Sequence, residues 1–273
     1  MKKHHEKYQE LLDFILKRGK AAIAFSGGVD SSFLSFAAHE ALGKNAAAIT
    51  VVSPMLSKSE LNDAKRIAER IGIDHILIEE NVIDEEVARN SKDRCYFCKK
   101  KEFSAIISAA KERGINTVFD GTNIDDENDY RPGMRALFEL GVLSPLREVK
   151  LSKHEIRELS RMADIPVWNK PAFACLASRI PYGQRITEDV LLKIERGEEV
   201  LRSFGFLQFR LRVHDNIARI EVAEDERNKF FGERILDEVS KKIKALGFTF
   251  VAMELEGYKM GNLNLLNADS ANI

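Results

Sequence analysis

Two groups of residues have the types and spacing to do chemistry: the heptapeptide Ser26-Gly27-Gly28-Val29-Asp30-Ser31-Ser32, and the three cysteines of the chain, Cys95, Cys98 and Cys175. Glycines let a backbone fold tightly enough for successive N–H groups to converge on an anion, and a following helix adds its free amides and partial positive charge. The hydroxyls of Ser26, Ser31 and Ser32 are further donors. The lysine and the Gly-x-x-x-x-Gly-Lys-Ser/Thr spacing of a Walker A loop are absent. A strand-to-helix turn capped by Asp30 is the plain alternative. The Cys-x-x-Cys pair is half of a zinc knuckle or a redox couple. Cys175, flanked by Ala174, Leu176 and Ala177, is either a reactive thiol or a buried small hydrophobe.

Residues 6–18 place Leu11, Leu12, Ile15 and Leu16 at helical spacing, 21–25 is a short apolar strand stopped by the glycines, and 30–42 is a helix ending at Gly43. A second strand covers 46–52, a helix 57–71 is closed by Gly72, and Ile76-Leu77-Ile78 is a third strand. A helical stretch runs from Val82 to Cys95, another over 99–113 with Gly114 as stop, and 117–120 is a fourth strand. Buried strands alternating with amphipathic helices specify an α/β fold, a parallel sheet with helices on both faces. Ligands bind such sheets at the carboxyl ends of the strands, where the heptapeptide lies. Pro166, Pro171, Pro181 and Gly183 then break the rhythm, which reads as an active-site loop and junction between a domain of residues 1–180 and a small α+β unit, 181–273. That unit reads as helix 188–204, strands 209–213 and 218–222, helix 233–246 and an extended 248–255.

With 44% hydrophobic and 31% charged residues in 273, the chain can fill one large or two modest cores, which excludes disorder and fibre. Lys plus Arg is 42 against 43 for Asp plus Glu, so no global field draws the chain to nucleic acid or an anionic membrane. No run approaches the roughly 18 apolar residues of a membrane span, and the charged start has no signal-peptide core, so the expected compartment is the cytoplasm. Three cysteines do not make a disulfide framework.

The heptapeptide after a first strand resembles the pyrophosphate loop of the ATP pyrophosphatase (PP-loop, N-type) superfamily, which cleaves ATP between the alpha and beta phosphates and adenylates a substrate. Three further stretches narrow the resemblance: Arg94-Cys95-Tyr96-Phe97-Cys98-Lys99; Asp120-Gly121-Thr122-Asn123 with Asp125-Asp126 and Asp129-Tyr130-Arg131-Pro132-Gly133; and Ala174-Cys175-Leu176-Ala177-Ser178-Arg179. In this order they are similar to the LarE-type ATP-dependent sulfur transferases over nearly the full length. The resemblance implies a Rossmann-like PP-loop domain with ATP and Mg2+ as cofactors. Ser26, Gly27, Gly28, Ser31, Ser32, Asp120, Thr122 and Asn123 would surround the nucleotide, with Asp30 placing magnesium, which suits a hard carboxylate oxygen. It also implies a homo-oligomer and a pyridinium mononucleotide substrate whose carboxylates are adenylated and thiolated for the nickel-pincer nucleotide cofactor. A carboxylate oxygen leaves poorly, whereas an acyl-adenylate expels AMP readily and exposes the carbonyl to sulfur.

One branch of the family resembles a sacrificial enzyme, whose cysteine matching Cys175 surrenders its own sulfur and ends as dehydroalanine. The other branch also carries Cys-x-x-Cys and is thought to hold a [4Fe-4S] cluster. This chain has Cys95, Cys98 and Cys175, and three thiolates on four irons leave one iron open to a sulfide from a separate source. Glu199 and Glu221 resemble acidic metal-binding residues of the family, and Arg131, Ser178 and Arg179, which fall in its motifs, are expected to bind the substrate. Period-two alternation sends Arg210, Arg212 and His214 to one strand face, with Arg219 and Glu221 beside them. That face suits a substrate phosphate, as does Lys99 beside the cysteine pair, and the alternative is an ordinary solvent face. Trp168 reads as core. A PP-loop tRNA thiolase is the main rival, opposed by the missing basic excess. An adenine-nucleotide sensor leaves the cysteines unexplained, and 273 residues leave no room for a glutaminase domain.

Overall fold

The alanine-rich apolar runs form the central strands because small side chains let helices approach both faces of a sheet. The computed structural model describes residues 2–128, 132–171, 174–232 and 234–259. It divides into two units, Met1–Val87 with Lys92–Phe173 and Ala88–Ser91 with Ala174–Ile273. Cys175, Ser178 and Arg179 thus fold with the second unit.

In chain order the first elements are α1 (Lys2–Leu16), β1 (Ala21–Ala24), α2 (Val29–Leu42), β2 (Ala46–Val52), α3 (Lys58–Ile71), β3 (Asp74–Glu79), α4 (Glu85–Ala88), α5 (Arg94–Glu112), β4 (Val118–Phe119), α6 (Gly133–Glu139), α7 (Pro145–Glu148) and α8 (Lys153–Met162). The sheet order is β3-β2-β1-β4, with every pairing parallel. Alternation along β1 sends Ala21 and Ile23 to a core with Leu11, Phe33 and Ile156, and Ala22 to a second core with Phe103, Ile106 and Ala110. Helices therefore cover both faces, as the sequence implies. The caps are also local: the Ser57 hydroxyl accepts from Glu60 N–H, Gly72 closes α3 in the left-handed region, and Ser152 with Glu155 forms a capping box at α8.

Three expectations change. The helical stretch ending at Cys95 and the helix starting at Lys99 are replaced by the short α4 and one continuous α5, so both cysteines lie inside a helix. The helices α6, α7 and α8 add to the elements expected from the sequence. Trp168 is 39% exposed rather than core.

The second unit contains α9 (Glu188–Ser203), β5 (Phe209–His214), β6 (Ile217–Val222), α10 (Ile235–Lys244) and β7 (Phe250–Met253), with a sheet ordered β5-β6-β7. β5 and β6 are antiparallel, with Arg210 opposite Glu221 and Arg212 opposite Arg219, and β7 runs parallel to β6. Phe209, Leu211 and Val213 fill the core, as the alternation requires. The opposite face is no open solvent face, because Arg210, Arg212 and Glu221 are all buried. Gly197 lets α9 approach β5: a Cβ there would lie 2.4 Å from Leu211 Cδ1. No helix among the described residues is long and apolar enough to cross a membrane.

Candidate functional site

Phe25 follows β1 and hands the chain to the heptapeptide, whose glycines then do two different things. Gly27 takes φ +67°, and a Cβ on it would meet the Ala64 backbone at 2.8 Å, so only glycine lets the loop lie on α3. Gly28 is the N-cap of α2 and Asp30 sits in its first turn, so the turn is not capped by Asp30. Ser31 ties the loop together: its hydroxyl lies 3.1 Å from that of Ser26, accepts from Ser26 N–H and donates to the Gly28 carbonyl. Ser32 is buried, and its hydroxyl has no hydrogen-bond partner.

The strand that enters the loop is held by a relay. Thr50 on β2 donates its hydroxyl proton to the Phe25 carbonyl at 2.6 Å, so it accepts from His75 Nε2 at 2.8 Å. Burial lowers the His75 pKa, and Lys65 adds to the effect.

Asp120-Gly121-Thr122-Asn123 leaves β4 at the same sheet edge and packs on the start of α2. A Cβ on Gly121 would stand 3.1 Å from Ser31 N, so the two motifs predicted to surround the nucleotide are in contact. Asp120 is committed within the fold, accepting from Thr122 N–H at 3.2 Å and from the hydroxyls of Thr122 and Ser144. Asn123 accepts from Asp125 N–H, and Asp126 accepts from Asn123 N–H. Arg131 lies outside the described residues.

Asp30 carries the electrostatics of this edge. Burial raises its carboxyl above the ordinary value while Lys153, bonded to Oδ2, pulls it down, and Asp126 raises it further. Asp30 Oδ1 is buried and has no hydrogen-bond partner, so a hard lone pair is available to a cation. Two lysines missed from sequence reach this edge. Besides Lys153, Lys170 bonds Asp63 at 2.8 Å and the Gly27 carbonyl at 3.4 Å. Burial works against ionisation of Asp63, but its bonds to Lys170 and Arg66 hold it below the ordinary carboxylate range.

Cys95 and Cys98 are in no disulfide, are partly open to solvent, and stand three residues apart on one face of α5. Arg94 Nη2 lies 3.8 Å from Cys95 Sγ, and Gly133 gives α6 its close approach, since a Cβ there would meet Lys99 Cγ at 3.0 Å. Lys99 bonds Glu102 at 3.1 Å and stands over the Phe103 ring.

In the second unit Cys175 is free and exposed, at the N-terminal side of a short 3-10 turn, Leu176–Arg179. Arg179 is 1% exposed and pairs with buried Glu198 through two bonds of 2.8 and 3.0 Å. Its remaining nitrogen serves the Ala174 and Cys175 carbonyls and the Ser178 hydroxyl. Arg212 bonds Glu221 at 2.6 Å and the Ser178 carbonyl at 3.0 Å. Glu221 is fully buried and also takes Arg219, while Glu199 is exposed; the buried acid of that helix is its neighbour Glu198. Among the described residues, no group of three or more His, Cys, Asp or Glu side chains is gathered to hold a metal ion.

Residues 16–109, which carry the phosphate loop and the cysteine pair, match the Asparagine synthase family. The chain is 34% identical over 247 residues to the pyridinium-3,5-bisthiocarboxylic acid mononucleotide synthase of Lactiplantibacillus plantarum, covering 90% of this chain and 89% of that one. It belongs to the LarE-type family of PP-loop sulfur transferases. An uncharacterized protein of Synechocystis sp. is 42% identical over 259 residues, 94% of this chain and 97% of the other. Another, from Methanocaldococcus jannaschii, is 34% identical over 243 residues, 89% and 92% of the two chains. As a LarE-type protein the chain is an ATP-dependent sulfurtransferase.

Proposed function

We propose that the chain adenylates the carboxylates of pyridinium-3,5-biscarboxylic acid mononucleotide and converts them to thiocarboxylates, with sulfur supplied through a [4Fe-4S] cluster held by Cys95, Cys98 and Cys175. The observation that carries this reading is the likeness to a pyridinium-3,5-bisthiocarboxylic acid mononucleotide synthase over 90% of the chain, whose three cysteines form no disulfide. The donor chemistry suits such a cluster, since thiolates are its usual ligands and Cys95 and Cys98 share one face of α5. When bound, such a cluster supplies one iron without a protein ligand, able to carry an exchangeable sulfide.

The chain's own residues do the rest. The Ser26–Ser32 loop binds the departing pyrophosphate through backbone N–H groups and serine hydroxyls, at the positive end of α2. Asp30, with one oxygen unbonded, holds Mg2+. Asp120 fixes Thr122, and Asp126 fixes Asn123, at the loop's edge. Lys99 beside the cysteine pair, Arg131, Ser178 next to Cys175, and Arg212 bonded to the Ser178 carbonyl receive the anionic substrate. Cysteines outside disulfides suit a reducing compartment, and cytoplasmic residence and homo-oligomeric assembly belong to the same reading.

The test is the iron and acid-labile sulfide content of protein purified without oxygen, alongside Cys175→Ala. The expected result is about four irons per chain in the parent, lost in the variant. No iron in either, even after reconstitution, sinks the cluster and leaves Cys175 as a sacrificial donor, visible as dehydroalanine by mass spectrometry.

A further inference from the structure

The reading above needs Cys175 presented in one place, yet the thiol is exposed and sits in a segment without regular strand or long helix. Two Cys175-adjacent carbonyls, those of Ala174 and Cys175 itself, accept from the same guanidinium nitrogen of Arg179, at 2.9 Å for Cys175. The other two nitrogens of Arg179 are taken by both oxygens of Glu198. Glu198 is anchored in turn, because its Oε1 also accepts the Leu211 N–H of β5 at 3.2 Å. The depth of α9 that allows this rests on Gly197, whose missing Cβ leaves room for Leu211. A buried arginine with its fork filled by a carboxylate and its last nitrogen turned onto two successive carbonyls is a backbone clamp, rigid because the guanidinium is planar.

We infer that Arg179 and Glu198 are positioning residues for the sulfur-transfer step: they do not touch substrate, but hold the Cys175 backbone so that its sulfur stays in register. This rests on the reading that Cys175 takes part in sulfur transfer, and it departs from the expectation that Arg179 binds substrate, since its donors are engaged within the fold.

Removing either partner alone would strand a buried charge and threaten folding. The informative variant is therefore Arg179→Met with Glu198→Gln, which leaves no unpaired charge and keeps an acceptor for Leu211 N–H. It is compared with the parent in melting temperature, ATP- and substrate-dependent pyrophosphate release, and thiocarboxylate formation. A nitroxide label on Cys175 in a Cys95→Ser, Cys98→Ser background reports local mobility with and without the double substitution. The expected result is a retained melting transition and pyrophosphate release, a freer label, and sulfur transfer reduced about a hundredfold. Arg179→Lys, lacking the planar fork, should not substitute for arginine. An unchanged label overturns the clamp, and a freer label with undiminished sulfur transfer overturns its positioning role. Cys175→Ala separates the two levels: sulfur transfer surviving in that variant refutes the role of Cys175 itself, whatever the label shows.

Discussion

Asp30 shows how much a single side chain's surroundings add to its motif. Resemblance to the PP-loop marks it as a cation ligand beside a phosphate loop, and the fold places it half-shielded, with one oxygen on Lys153 and the other unbonded. Asp30→Ala should cut ATP-dependent pyrophosphate release by about a hundredfold or more while leaving iron content intact; equal loss of both in a metal and pyrophosphate assay would indicate misfolding. His75 makes a second prediction. Its folded pKa is depressed by burial, so the stability it contributes is fully present above its ordinary value of about 6.5 and is lost as pH falls from there toward the folded value. Thermal melts across that window should therefore show less pH dependence in His75→Gln than in the parent. The heptapeptide and the cysteines were legible because they are local patterns. Lys153 and Lys170 were not, since their partners lie 123 and 143 residues away and a lone lysine has no pattern. Glu198 was legible in principle, as the one acid in the helical stripe of Leu191, Ile194 and Leu201.

The elements that position these residues follow from short stretches of sequence, which is why β1, β2, α2 and α3 match their apolar runs and glycine stops closely. The sequence pattern divides α5 because Cys95 to Lys99 has no apolar period of its own; contact with α6 through Gly133 supports that turn. α6 and α7 are too short for periodicity, although Ser152 and Glu155 did spell out the start of α8. Burial of the Arg210–Arg212 face was hidden because alternation gives the two faces of a strand but not what covers them. Close approach of elements gives the prediction at this scale. Gly197→Ala forces a methyl into Leu211 and should lower stability by about 1–3 kcal/mol, read as a drop in the urea midpoint. Leu211→Val in the same chain should recover part of the loss, and full stability of the single variant would contradict the tight α9–β5 contact.

For the whole molecule, acidic and basic residues are nearly balanced, and the likeness to a mononucleotide synthase extends over 90% of the chain. Both point to a small anionic substrate rather than a polyanion. Bulk tRNA should dissociate at moderate salt, and binding that survives would favour a tRNA-directed enzyme. The most direct measurement mixes oxygen-free protein with ATP, Mg2+, sulfide and pyridinium-3,5-biscarboxylic acid mononucleotide, then weighs both the small molecule and the chain by mass spectrometry. Sulfur transfer by a cluster-bearing enzyme predicts thiocarboxylate accumulating well beyond one product per chain, with AMP and pyrophosphate, and a chain of unchanged mass. Absence of thiocarboxylate would contradict the assigned reaction, and product capped by the number of chains, with Cys175 converted to dehydroalanine, would contradict the cluster.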